Sequence, residues 1–381
     1  MRTISNRLYS LDAFRGLCML GMLLVDYPGD WGNKYSPLIH ASWNGFTLAD
    51  VIFPAFVFVV GVAMVFSLKK RVEKGDSMTQ IMKHVAKRAL ILIVLGWISN
   101  AFLDSQPIYS LKNLRIMGVL QRIALVYVIC SYLYLKLSTK QLAYVGASIL
   151  VLFWGISTLI PVPGFGMPDL NVLPADGIAN LSVWIDSVVL EGHVAEWNKP
   201  FDNEGILGTI PATVTCILGM LVGLFLKTDK DGATKTSWLF LAGCVLLAVA
   251  QVWNIWYPIN KLLWSSTFVL YAGGWALLIF AAFYWIIDVQ SYARWSRPLQ
   301  VLGKNAVLVF TTALCFQGAF WRIQITYEGA ATAFRWAVYS EFFKPVFADP
   351  LKSSMLYTFA VILFWYGVSY ILDKKKIYLR A

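Results

Sequence analysis

Residues 48–68 read LADVIFPAFVFVVGVAMVFSL, with a single charge, Asp50, near the start and Lys69, Lys70 and Arg71 directly after the end. A helix rises about 1.5 Å per residue, so a run of this length covers the roughly 30 Å of a bilayer's hydrocarbon. The stretch is apolar on every face, as a helix surrounded by lipid or by other helices must be. It reads as a transmembrane helix whose basic end marks where it leaves the lipid.

Working outward, the same criterion gives further spans at Leu11–Val25, Arg88–Leu103, Ile116–Leu135, Leu142–Ile160, Leu207–Leu226, Trp238–Trp256, Ser266–Ile287, Leu299–Trp321 and Met355–Leu372. The expectation is an all-α polytopic membrane protein of about ten to eleven transmembrane helices, forming one domain over residues 1–381. Composition agrees: 58% of the 381 residues are hydrophobic and only 14% charged, against roughly 25% charged in soluble domains. A soluble enzyme is excluded.

The net charge of +11 is a topology signal rather than a nucleic-acid patch. With both termini in the cytoplasm, twenty of the 32 Lys and Arg fall in cytoplasmic pieces, nine outside and three (Arg15, Arg122, Lys304) within spans. Helix 1 lacks a small-residue cleavage pattern after Val25 and is expected to be retained. The five cysteines lie in apolar helices, where they act as packing residues; no metal site or disulfide framework is expected.

Three outer loops are long: 27–47, 161–206 and 322–354. Long loops often carry function. The first holds Asp30, Trp31, His40, Trp43 and Asn44, with Asp26 before it and Asp50 after. The second ends with Trp197, Phe201, Asp202, Asn203 and Glu204. Aromatic residues also gather at membrane interfaces without a ligand. His40 is either a structural imidazole or a general base, since its ordinary pKa lies near neutrality. Arg15 and Lys304 either hold anionic groups at the cytoplasmic side or snorkel to lipid headgroups. Arg122, deeper in its span, needs a partner such as Asp12 or Asp50. Gly16, Gly21, Gly61 and Gly96 are expected at close helix contacts, and no P-loop or dinucleotide fingerprint occurs. From these features alone, a transporter is favoured over an enzyme, although no repeat relates the two halves.

The run Leu11-Asp12-Ala13-Phe14-Arg15-Gly16 resembles the opening of the transmembrane heparan-alpha-glucosaminide N-acetyltransferases and their bacterial relatives. The likeness continues through His40-Ala41-Ser42-Trp43-Asn44-Gly45-Phe46-Thr47-Leu48-Ala49-Asp50, Phe53-Pro54, Gly118 to Arg122, Pro161 to Gly164, and Glu204 to Thr209. It ends with Asn260-Lys261, Leu263-Trp264-Ser265, and Gly303 with Asn305.

This resemblance implies transfer of acetyl from cytoplasmic acetyl-CoA to the amine of a glucosamine-type sugar on the far side. His40 matches the family's catalytic histidine and is read as general base, with an acetyl-histidine intermediate as the other possibility. Asp26, the second catalytic candidate, stands where relatives carry Asn; it is protonated, orients His40 or marks a changed acceptor. Trp43, Asn44, Asp50, Glu204 and Trp264, with Trp197, are candidates for the acceptor sugar. Arg15 and Lys304 are candidates for the CoA nucleotide, and Gln121, Arg122 and Asn305 for its arm. No metal or nucleic acid is implied. The chain begins at its membrane domain, so a bacterial inner membrane, periplasmic active-site loops and a homodimer are expected. O-acetylation of a glycan hydroxyl is the alternative chemistry.

Overall fold

The computed structural model describes residues 8–103, 111–195 and 199–379. Its helices are α1 (Tyr9–Asp26), α2 (Leu48–Glu73), α3 (Met78–Leu103), α4 (Val119–Lys136), α5 (Thr139–Leu159), α6 (Leu181–Val189), α7 (Thr209–Leu226), α8 (Gly232–Trp253), α9 (Ser266–Phe283), α10 (Arg297–Lys304), α11 (Ala306–Arg322), α12 (Phe334–Phe342) and α13 (Pro350–Lys374). Among the described residues, eight are long and apolar enough to cross a membrane, and the bent α10–α11 pair makes a ninth. Helix α1 is 18 residues long but carries Asp12, Arg15 and Asp26.

Helices α2, α7 and α9 form the centre, while α5, α8 and α13 lie at the periphery with most of their apolar surface facing outward. α2 and α7 meet backbone to backbone because a Cβ on Gly61 would collide with the Cys216 carbonyl, and one on Gly219 with that of Phe58. Small residues allow such approaches where apolar burial from water does not drive helix association. Gly16 and Gly303 let α1 and α10 close in the same way.

The span expected at Leu299–Trp321 is broken. α10 and α11 diverge by 63° at Asn305, whose amide donates to the Ile377 carbonyl (3.0 Å) and whose oxygen accepts the Leu379 N–H (3.2 Å). The tail after α13 is thereby tied to the break. α3 begins ten residues before the expected Arg88, since a helix can continue past the lipid on charged residues such as Lys83 and Lys87. The described residues depart from an all-helical fold at one hairpin, β1 (Gln324–Tyr327) with β2 (Ala330–Ala333). Glu328 and Gly329 both have positive φ, the signature of a two-residue type I′ turn.

Candidate active site

The site begins with the way α2 starts. The Asp50 carboxylate accepts the Thr47 N–H (2.9 Å), its hydroxyl (3.1 Å) and the Ala41 N–H (3.2 Å) through Oδ2. Its other oxygen lies 2.8 Å from His40 Nδ1. A carboxylate that caps a helix therefore also fixes an imidazole ten residues earlier. The Asp50 side chain is fully buried, whereas His40 is partly exposed to a cavity.

Lys261 joins them, its Nζ 2.9 Å from His40 Nδ1, 3.3 Å from Nε2 and 3.4 Å from Asp50 Oδ1. Two groups thus compete for Nδ1. A carboxylate is the stronger partner for an N–H, so we assign the proton to Nδ1 and leave Nε2 as the basic nitrogen. Lys261 is held by the Asn260 turn, where Asn260 bonds Ser265 Oγ (3.0 Å), the Leu263 N–H (2.8 Å) and Asn44 Oδ1 (3.0 Å).

Across the cavity stands an acidic pair on one arginine. Arg115 makes two bonds of 2.7 Å to Asp202 and one of 2.5 Å to Glu204. Burial alone would raise the Asp202 carboxyl, but the Arg115 guanidinium holds it below the usual range. Below it, burial pushes Asp186 up to about 6 against the N–H groups of Ile206 and Asp202, which favour the charged form. Arg115→Ala would leave two buried carboxylates uncompensated, a loss of about 3–5 kcal/mol, and a detergent thermal-shift assay should show a lower midpoint. Because the Asp202 pKa is depressed in the fold, its stabilisation is complete above the unfolded value of roughly 4 and disappears as acid protonates it.

Of these groups His40, Lys261, Arg115 and Glu204 line a cavity of about 820 Å³, together with Asp26 and Gln121. A second cavity of about 550 Å³ opens at the other end of α2, beside Arg15 of α1 and the segment after α13. Arg15, Arg71, His84, Arg88 and Lys304 line it, with no acidic side chain among the described residues that line it. Leu120 borders both cavities, and α2, α3, α4 and α11 contribute walls to each. Near this junction, both amide atoms of Gln121 are buried without a hydrogen-bond partner among the described residues.

Several candidates read from the sequence have other surroundings. Trp43 and Asn44 bond the Leu170 carbonyl and tie the first outer loop to the second. Trp264 is 1% exposed, against Phe53 and Phe268, and its ring lies 4.8 Å from the Arg122 guanidinium. Arg122 also bonds the Gly205 carbonyl and borders neither cavity. Neither Asp12 nor Asp50 is its partner; the aromatic ring and a carbonyl are. Asn305 serves the chain break, and Trp197 lies outside the described residues. Lys304 borders the second cavity while bonding Asp373 at 2.7 Å. Sequence reasoning missed Arg71, Arg88, Arg115 and the place of Lys261 beside His40. For Lys261 the signal was present, in the Asn260-Lys261 block.

A family model described as heparan-alpha-glucosaminide N-acetyltransferase, catalytic, matches residues 7–235. The human heparan-alpha-glucosaminide N-acetyltransferase is 29% identical over 426 aligned positions, covering 99% of this chain and 60% of its own length. The mouse protein of the same name is 28% identical, with 99% and 61% covered. The chain thus spans about three fifths of the length of these curated relatives. With that match extending over more than half of its residues, the chain belongs to the heparan-alpha-glucosaminide N-acetyltransferase catalytic family.

Proposed function

We propose that this protein transfers acetyl from acetyl-CoA in the cytoplasm to the amine of a glucosamine-type sugar on the periplasmic side of a bacterial inner membrane. The observation that carries the reading is the pair of cavities meeting at Leu120, one basic and one holding His40. In this reading α1 completes ten spans, residues 1–381 form one domain, and both termini are cytoplasmic, in keeping with the Lys and Arg distribution. A homodimer is part of the proposal by analogy with the family.

The residues present suit acetyl-CoA. Four cationic side chains at the cytoplasmic cavity, Arg15, Arg71, Arg88 and Lys304, match a polyanionic nucleotide. The unpartnered Gln121 amide matches the amide groups of a pantetheine arm. When bound, acetyl-CoA supplies the acetyl group as a thioester. His40 Nε2 takes a proton from the amine as its nitrogen bonds to the carbonyl carbon; the C–S bond then breaks, and the imidazolium returns the proton to the sulfur. Asp50 holds the Nδ1–H and stabilises the imidazolium between those steps. Glu204, fixed by Arg115, faces the acceptor. No metal takes part.

The test is CoA thiol release by purified protein in detergent. Release that requires glucosamine supports the proposal. Release with neutral sugars in its place would favour O-acetylation. Silence with every sugar, joined to sugar uptake in proteoliposomes, would establish the transport reading instead. The basic cavity adds a kinetic expectation: Arg71→Glu with Arg88→Glu should raise the KM for acetyl-CoA about tenfold or more. kcat should change little, because those side chains are remote from the reacting atoms. An unchanged KM would move the nucleotide elsewhere.

A further inference from the structure

The sequence points to Trp43 and Trp264 as sugar platforms, but they are 3% and 1% exposed and already packed. Trp31 is 49% exposed and lines the outer cavity. It stands on a turn fixed from both directions. Asp30 accepts the Gly32 N–H (2.9 Å) and the Asn33 side-chain amide (2.8 Å). Its own N–H donates to Ser354 Oγ (3.0 Å), which in turn donates to the Asp30 carbonyl (3.2 Å). Lys34 Nζ lies 4.8 Å from the ring centroid and donates to the Val25 carbonyl at 2.9 Å. The indole is therefore pre-positioned, with one face backed by a cation.

Asn203 supplies a second, independent sign of a ligand. It lines the same cavity, and its Oδ1 is buried with no hydrogen-bond partner among the described residues. The residues on each side, Asp202 and Glu204, are both clamped by Arg115, so the backbone cannot turn the amide elsewhere at low cost. A buried acceptor without a donor is costly to the free protein, and a ligand hydroxyl or amine N–H relieves that cost. An aromatic surface and a single acceptor together suit a pyranose, whose ring offers an apolar C–H face and hydroxyls at its edge.

We infer that Trp31 and Asn203 form the acceptor-recognition subsite, with Trp31 stacking on the pyranose ring of an amino sugar and Asn203 Oδ1 accepting from its 3-, 4- or 6-hydroxyl. The inference rests on the acetyltransferase reading for the identity of the reaction but not for the binding itself. Both are specificity-determining residues that distinguish an amino-hexose from a simple amine.

Calorimetric titration with glucosamine and N-acetylglucosamine needs no turnover. Trp31→Ala should weaken binding about tenfold and Trp31→Phe much less. Asn203→Ala should weaken glucosamine binding about three- to tenfold. Against 3-, 4- and 6-deoxyglucosamine, that variant should lose nothing further with the one analogue that lacks the bonded hydroxyl. In turnover, Trp31→Ala should raise the KM for glucosamine with kcat kept within about twofold, and leave kcat/KM for ethanolamine unchanged. Wild-type binding in both variants, with wild-type protein active on glucosamine, overturns this inference alone. Wild-type protein that binds no amino sugar and releases no CoA overturns it together with the transferase reading. Equal loss of binding by Asn203→Ala for all three analogues overturns the role of Asn203.

Discussion

Alanine at position 40 should lower glucosamine-dependent CoA release by about 10²–10⁴-fold, the range that one positioned general base contributes. The loss should fall on kcat. His40 is partly exposed to the cavity, and its partner Asp50 keeps the Thr47 and Ala41 N–H groups and the Lys261 ammonium when the imidazole is gone. The fold therefore has no buried charge newly abandoned, and the variant should elute and melt like wild type. The KM for acetyl-CoA should hold within about twofold, because the basic cavity lies at the opposite ends of the helices that wall the His40 cavity. Two results would contradict the assignment: near-wild-type turnover in His40→Ala, or a stoichiometric burst of CoA without acceptor in the wild type. The second would make His40 a nucleophile that carries the acetyl group in a covalent intermediate.

Asp50→Asn carries the second large effect, an expected kcat loss of about 10²-fold or more. The carboxylate fixes which ring nitrogen bears the proton. An asparagine amide can offer its NH₂ to Nδ1, which would place the proton on Nε2 and leave no base toward the acceptor. Because Asp50 also caps α2, loss of helix stability must be separated from loss of the tautomer. Thr47→Ala makes that separation. It removes the hydroxyl bond of 3.1 Å to Asp50 but leaves His40 untouched, so it should cost about 0.5–1 kcal/mol in stability with activity retained. Equal losses of activity in the two variants would reduce Asp50 to a helix cap.

The apolar spans were legible because bilayer thickness fixes their length, and α2 shows this most plainly. The bend at Asn305 was not. Residues 299–321 read as a continuous apolar run, and the break is stabilised by backbone groups of residues 377 and 379, more than seventy positions away. The resemblance marked the block that holds His40 and Asp50, but Asp50 was read as a contact for the acceptor sugar, and its buried side chain instead meets His40. Arg71 and Arg88 were counted as charges that orient the bundle. Only the turn from α2 into α3 brings them to one cavity with Lys304. Arg122 and Trp264 were read as two site residues, but each is the other's partner, a pairing across 142 positions that spacing does not reveal.

The wall shared by the two cavities has a consequence for the membrane itself. Phe53 borders the outer cavity, Phe56 the inner one a turn away, and Leu120 both. Apolar side chains at such a point disfavour water, and a hydrated ion must shed its own water to pass them. In the proposed reaction, a slender neutral arm threading the same point would lose far less solvation. In that reaction this wall would act as electrical insulation, letting the acetyl group change sides while the membrane voltage is preserved.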